Sequence, residues 1–223
     1  MEKIKIIFED DYLMVVEKPT GLTTTRERNG ESWTLEDELK TIRPNGLSRN
    51  GIVHRLDKGT SGLVLIAKNE SSLINLKAQF KNRQVIKKYI CLVSGNASID
   101  GEIQMPIGRS KFGFGKFGIS LEGKEAWTIF KLIRKYKKDE RYLSLLEITL
   151  KTGRTHQIRV HMNYLGWPLV GDKLYGGDST FLKRPFLHAT FVQFRHPNSG
   201  ETISFKSELS QDLLSILNLY EEV

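Results

Sequence analysis

The chain has 223 residues, 39% hydrophobic and 27% charged, the make-up of a globular protein with room for one sizeable α/β domain or two small ones. Its 34 lysines and arginines against 26 acids give a formal charge of +8, which favours a polyanionic partner. The single cysteine, Cys91, excludes an intrachain disulfide and fits a reducing compartment. No apolar run approaches the ~20 residues of a membrane helix, and Met1-Glu2-Lys3-Ile4-Lys5 lacks a signal-peptide core, so a cytoplasmic protein without a membrane partner is expected.

In chain order, Ile4–Phe8 and Tyr12–Val16 are short apolar runs parted by Glu9-Asp10-Asp11, the pattern of a hairpin. Lys18-Pro19-Thr20-Gly21 turns the chain. Thr34 begins a helix with Asp37 placed for a capping box and Leu35, Leu39 and Ile42 on one face; Arg43-Pro44-Asn45-Gly46 ends it. Leu63–Ala67 is an uninterrupted apolar strand. Ser71 or Ser72 is expected to cap a helix reaching about Asn82, with Leu73, Leu76 and Phe80 inward. Lys88–Val93, Glu102–Ile107, Ala126–Ile133 and Tyr142–Leu150 read as strands. Thr155 is expected to cap a helix facing inward through Ile158, Met162 and Leu165 and stopped by Gly166 and Pro168. Leu187–Phe194 is a further strand, and Pro197-Asn198-Ser199-Gly200 turns into Thr202–Phe205. Ser210 opens a closing helix carrying Leu213, Leu214 and Leu217. Cys91, within Tyr89-Ile90-Cys91-Leu92-Val93, reads as a small buried residue.

Many strands, few helices and hairpin-like spacings predict an α+β fold: a mixed, mostly antiparallel sheet flanked by helices. With no repeat, low-complexity linker or break in composition, residues 1–223 are expected to form one domain, and a monomer.

The chemistry concentrates in His54-Arg55-Leu56-Asp57-Lys58-Gly59-Thr60-Ser61-Gly62. Two glycines permit a tight bend, and the hydroxyls can satisfy backbone groups within it. A carboxylate held in such a turn at a strand edge can serve as nucleophile, base or metal ligand. This run resembles the signature of the RluA-type pseudouridine synthases, which isomerise uridine within RNA. Lys87-Lys88-Tyr89-Ile90-Cys91-Leu92-Val93-Ser94-Gly95 resembles the family's second motif and Gly153-Arg154-Thr155-His156-Gln157-Ile158-Arg159 its third. Lys124-Glu125-Ala126-Trp127-Thr128 and Leu187-His188-Ala189 with His196-Pro197 resemble framework segments.

The resemblance implies three catalytic residues: Asp57 as nucleophile or base, Arg154 as its ionic partner, and Tyr89 stacking on the target uracil. A guanidinium opposes the rise that enclosure would impose on a carboxyl pKa, and a helix starting at Thr155 would add its positive end. The reaction breaks N1–C1′ and rejoins the base through C5, so it needs no redox or nucleotide cofactor. The target base must leave its stack, and the family's first motif implies that Arg55 fills the space; the plainer alternative is a salt bridge inside the domain. The run Arg109-Ser110-Lys111-Phe112-Gly113-Phe114-Gly115-Lys116-Phe117-Gly118 interleaves cations, aromatics and glycines, a flexible loop suited to RNA through Lys111 and Lys116, or else a hairpin tip with partly buried rings.

Many relatives add an N-terminal S4-type RNA-binding module. This sequence starts at the catalytic region, so RNA contacts, to ribosomal or transfer RNA, are expected from the catalytic domain itself. Thr23-Thr24-Thr25-Arg26 replaces the family's usual Val-His-Pro continuation after Lys18-Pro19-Thr20-Gly21-Leu22. A metal site is not expected: His156 and His161 stand about 140° apart on a helix, and there is one cysteine and no cluster of acids. A phosphate-binding glycine loop is missing. A non-catalytic RNA-binding domain is the alternative function, but it leaves an acid in a polyanion site unexplained.

Overall fold

The structure, a computed structural model, describes residues 4–26, 32–97, 99–110, 116–138 and 140–223. In chain order the elements are β1 (Lys5–Glu9), β2 (Leu13–Lys18), α1 (Leu35–Ile42), β3 (Ser61–Ala67), α2 (Glu70–Lys81), β4 (Ile86–Ser94), β5 (Gly101–Gln104), β6 (Ile107–Arg109), β7 (Phe117–Ile119), β8 (Trp127–Lys138), β9 (Arg141–Leu150), α3 (Gln157–Tyr164), β10 (Leu187–Arg195), β11 (Thr202–Lys206), α4 (Gln211–Leu217) and β12 (Glu221–Glu222). The fold is α+β. Contacts divide the chain into two compact units, Met1–Lys87 with Ala189–Glu208, and Lys88–His188 with Leu209–Val223.

The first unit is a sheet in the order β1-β2-β3-β10-β11. The β1–β2 hairpin is antiparallel, as expected, and β2 pairs antiparallel with β3 from Leu13↔Ala67 to Lys18↔Gly62. Every residue of β3 is buried, which explains its unbroken apolar run: a strand covered on both faces has no polar side to alternate with. Leu63, Leu65 and Ala67 pack with Leu13, Val15, Val192 and Phe194 and with Leu73 and Leu76 of α2. Full burial of one such leucine or valine is worth about 1.5–3 kcal/mol. Gly62 has φ +113°, and a Cβ there would lie 2.3 Å from the carbonyl oxygen of Ala189, so only glycine lets the two backbones approach.

α1 starts with the expected capping box: Thr34 Oγ1 accepts from Asp37 N, and Asp37 Oδ2 accepts from Thr34 N. Leu35 and Leu39 are buried, but Ile42 is 36% exposed, because the helix ends there and the chain turns away. α2 is not capped by Ser71 or Ser72. Asn69, in extended backbone, accepts from Ser72 N at 2.9 Å, so the helix starts at Glu70 and both serines lie inside its first turn.

In the second unit β4, β9 and β8 form an antiparallel ladder, with β5 on the first residues of β8 and β12 on its last. The single strand expected over Glu102–Ile107 is instead two. Met105-Pro106 interrupts it, since proline has no N–H to donate; β5 pairs with β8 whereas β6 pairs with β7. The segment expected to be a loop over 109–118 thus has strands at both flanks. Leu92, Leu143, Leu145, Val170, Phe186, Leu213 and Ile216 make one core. Cys91 is fully buried, and burial pushes its thiol pKa up. α4 follows Ser210 but buries Leu213 and Ile216, leaving Leu214 38% exposed.

α3 differs most from expectation. Thr155 does not cap it; the N-cap is His156, with φ +56° and ψ +20°, and the helix begins at Gln157. Arg154 therefore stands two residues before the N-cap. Leu165 lies at the C-cap, outside the helix.

Candidate active site

Asp57 and Arg55 lie in the first unit, Tyr89 and Arg154 in the second. Asp57 is partly buried in the turn that leads into β3, and Thr60 N donates to its carbonyl at 3.0 Å. A second segment, residues 19–24, holds this turn from outside. Gly21 N donates to the Lys58 carbonyl at 2.8 Å, and Thr20 Oγ1 to the Gly59 carbonyl. Thr24 Oγ1 donates to the Leu56 carbonyl at 2.7 Å and accepts from Leu56 N at 3.1 Å, so one buried hydroxyl satisfies both backbone groups of the residue before the acid. The holding segment is itself fixed by Lys18. That side chain is fully buried, and its ammonium donates to the carbonyls of Pro19 (2.8 Å) and Leu22 (2.7 Å). The clamp holds the backbone of Leu56 before the acid and of Lys58 and Gly59 after it.

On the other side of the signature, His54 Nε2 accepts from Leu65 N at 3.0 Å, and its ring stacks on Phe80 at 4.9 Å. Lys87 Nζ lies 5.5 Å from the same Phe80 ring. Burial lowers the His54 pKa to about 3, with the Lys87 charge assisting, and burial lowers Lys87 to about 8. Arg55 is exposed. Thr60 Oγ1 is buried and has no hydrogen-bond partner among the described residues.

In the second unit, Tyr89 is buried in β4 opposite Ile148 of β9, two residues before β9 ends at Leu150. Arg154 follows that end by four residues. The ladder therefore brings Tyr89 and the Arg154 turn to the same end of the β4–β9 pair. Arg154 Nε donates to the Glu125 carbonyl at 2.8 Å. The turn is held by Gln157, 2% exposed. Its Oε1 accepts from Thr152 Oγ1 and Arg154 N; its Nε2 donates to the Trp127 carbonyl and Thr128 Oγ1. All four hydrogen-bonding positions of the amide are used. His161 continues the network. Its Nε2 is 2.9 Å from the Met105 carbonyl and must carry the proton, so Nδ1 accepts from Thr128 Oγ1; burial lowers its pKa, keeping it neutral.

Lys116 is partly buried at the foot of β7, its carbonyl accepting from Ser110 N, and Arg109 is exposed at the end of β6. Lys111 lies outside the described residues. Sequence reading missed Thr24, Lys18 and Gln157. Thr24 acts on a partner 32 residues away that only tertiary folding supplies; Lys18 bonds carbonyls one and four residues on, a local contact that no sequence pattern marks; Gln157 was visible inside the third motif yet had no visible task.

The fold is α+β, with a carboxylate in a backbone-clamped glycine turn in one unit and a buried tyrosine at the strand end that leads to the arginine turn in the other. The family model described as RNA pseudouridylate synthase matches residues 12–164. Ribosomal large subunit pseudouridine synthase D of Zymomonas mobilis is 37% identical over 227 residues, covering 94% of this chain and 70% of that protein. The protein of the same name from Nitrosomonas europaea is 36% identical, covering 96% of this chain and 64% of that protein. Among solved structures, human RNA pseudouridylate synthase domain containing 1 superposes with a TM-score of 0.80 at 27% identity, over 100% of this chain and 89% of that one. The chain belongs to the RNA pseudouridylate synthase family, and its chemistry is the isomerisation of uridine in RNA.

Proposed function

We propose that this enzyme isomerises a uridine of large-subunit ribosomal RNA, in the cytoplasm, with Asp57 as nucleophile or base, Arg154 as its ionic partner and Tyr89 as the platform for the uracil. The N1–C1′ bond breaks, the detached base turns, C5 bonds to C1′, the C5 proton departs, and N1 takes up a proton in its place. An ionised carboxylate can attack sugar carbon or remove a sugar proton. The Tyr89 ring offers a face to the base, and its hydroxyl a relay for the C5 proton. Arg55, solvent-exposed two residues before Asp57, fills the gap left by the flipped nucleotide at a cost of a few kcal/mol of unstacking. Arg109, Lys111 and Lys116 contact the RNA, its phosphates above all.

The observation that carries this reading is the clamp on the acid: hydrogen bonds from Thr20, Gly21 and Thr24 fix the Leu56–Gly59 backbone. Ribosomal RNA is preferred over transfer RNA because two of the relatives carry the large ribosomal subunit in their names. Two measurements test the proposal. Asp57→Asn should abolish pseudouridine formation while RNA binding persists; retained turnover removes Asp57 from the chemistry, and a pure binding domain would be unaffected. Pseudouridine maps of cells with and without the gene should differ at a large-subunit position; a lost position in transfer RNA instead would overturn the substrate assignment.

A further inference from the structure

The second unit contains a polar assembly that the chemistry of uridine does not itself require. Asp172, 1% exposed, takes the Arg159 guanidinium in a two-point contact, Nε at 2.6 Å and Nη2 at 2.8 Å. Arg159 in turn lies over the Tyr175 ring, with its guanidinium carbon 4.9 Å from the centroid. Asp172 also accepts from Tyr175 N. The ring is thus fixed in place and orientation, and its hydroxyl reaches outward to two other elements. It accepts from Phe117 N at 3.0 Å, at the first residue of β7, and lies 2.9 Å from His156 Nδ1, at the N-cap of α3. The Phe117 and Tyr175 rings both approach His156 edge-on, at 5.7 Å. His156 holds a left-handed backbone, φ +56°, which a non-glycine residue adopts at a cost and keeps only where its surroundings impose it.

Of the two elements tied by this hydroxyl, the β6–β7 pair carries cations proposed for RNA, and α3 follows directly on the turn that holds Arg154. The β6–β7 pair has Arg109 at the end of one strand and Lys116 just before the other, matched as Arg109↔Phe117. The α3 N-cap stands two residues from Arg154. We propose that Tyr175 is a positioning residue for RNA recognition, a latch that locks the Arg109–Phe117 end of the β6–β7 pair to the first turn of α3 and so sets where the cations at that end meet the phosphates relative to the Arg154 turn. The inference rests on the reading above in which Arg109 and Lys116 touch RNA. It places Tyr175 outside the reacting atoms: the hydroxyl touches neither base nor sugar, so its loss should weaken binding of RNA more than turnover of bound RNA.

The test uses the full chain and an unmodified large-subunit ribosomal RNA transcript with C5-tritiated uridine, reading tritium release over a range of salt. Tyr175→Phe removes only the hydroxyl and leaves the ring under Arg159. It is expected to raise KM about fivefold or more, to leave kcat within about twofold, and to reduce the slope of log KM against log salt by about one phosphate contact. In an Arg109→Ala/Lys116→Ala background the same change should add nothing to KM, because the two act through one contact surface. Thermal unfolding, measured alongside, separates a structural role, which lowers the melting point but leaves the salt slope alone. If Arg109→Ala/Lys116→Ala raises KM and Tyr175→Phe does not, the latch is refuted and the hairpin's RNA role stands. If Arg109→Ala/Lys116→Ala changes neither KM nor slope, the hairpin reading fails and the latch with it. A fall in kcat with KM and slope unchanged also overturns the proposal.

Discussion

The most informative perturbation is acid acting on His54. Its Nε2 accepts from Leu65 N at 3.0 Å within the fully buried strand β3. An imidazolium has no lone pair to offer, so protonation breaks that bond and strands a buried N–H. Burial, and then the Lys87 charge, lower the His54 pKa from 6.5 to about 3. The folded value lies below the unfolded one, so between them the unfolded chain binds a proton that the folded chain refuses. The stabilisation is therefore fully present above the unfolded pKa and is lost as pH falls through the window from 6.5 towards 3. At about 1.4 kcal/mol per pH unit, and allowing for partial titration near the unfolded pKa, His54 accounts for a loss of about 2 kcal/mol between pH 7 and pH 5. Urea unfolding of the wild type and of His54→Gln at the two pH values measures it. Glutamine retains an acceptor but does not titrate, so the variant should lose about 2 kcal/mol less than the wild type over this interval. Equal losses in the two proteins would refute the argument.

Arg159→Met should destabilise the protein by about 3–5 kcal/mol, because it leaves the Asp172 carboxylate buried without its partner; adding Asp172→Asn should recover much of that loss, and a single variant as stable as the wild type in calorimetry would contradict the pairing. Thr60→Val should raise the urea midpoint by the equivalent of about 1 kcal/mol, since a buried hydroxyl with no partner among the described residues carries a desolvation cost. A lowered midpoint would mean that the hydroxyl is hydrogen-bonded in solution.

Much of this was legible in the linear chain, for a physical reason that differs between elements. The Thr34–Asp37 capping box and the helix it starts depend on groups three residues apart, and β3 announces itself by an apolar run that no half-exposed strand would carry. The α2 cap shows the limit of such local rules. Asn69, Ser71 and Ser72 are all good caps, and the choice fell to Asn69, whose backbone is extended where the chain leaves β3. The α3 start was misplaced because a left-handed histidine at an N-cap has no sequence signature. The strand split at Pro106 was written in the sequence and overlooked; the pairing of β6 with β7 was not, since the partner lies beyond an intervening segment.

Sequence by itself, through its resemblance to the family, pointed to the acid in its glycine-bearing turn, the tyrosine and the arginine, and its composition pointed to a polyanionic partner, because motifs and charge are carried by residue type. Tertiary structure alone decided what holds them. Thr24 reaches Leu56 from 32 residues away, and Tyr175 reaches Phe117 across 58. A hydroxyl in a chain can take many partners, and only the folded backbone, by closing those long loops, selects one.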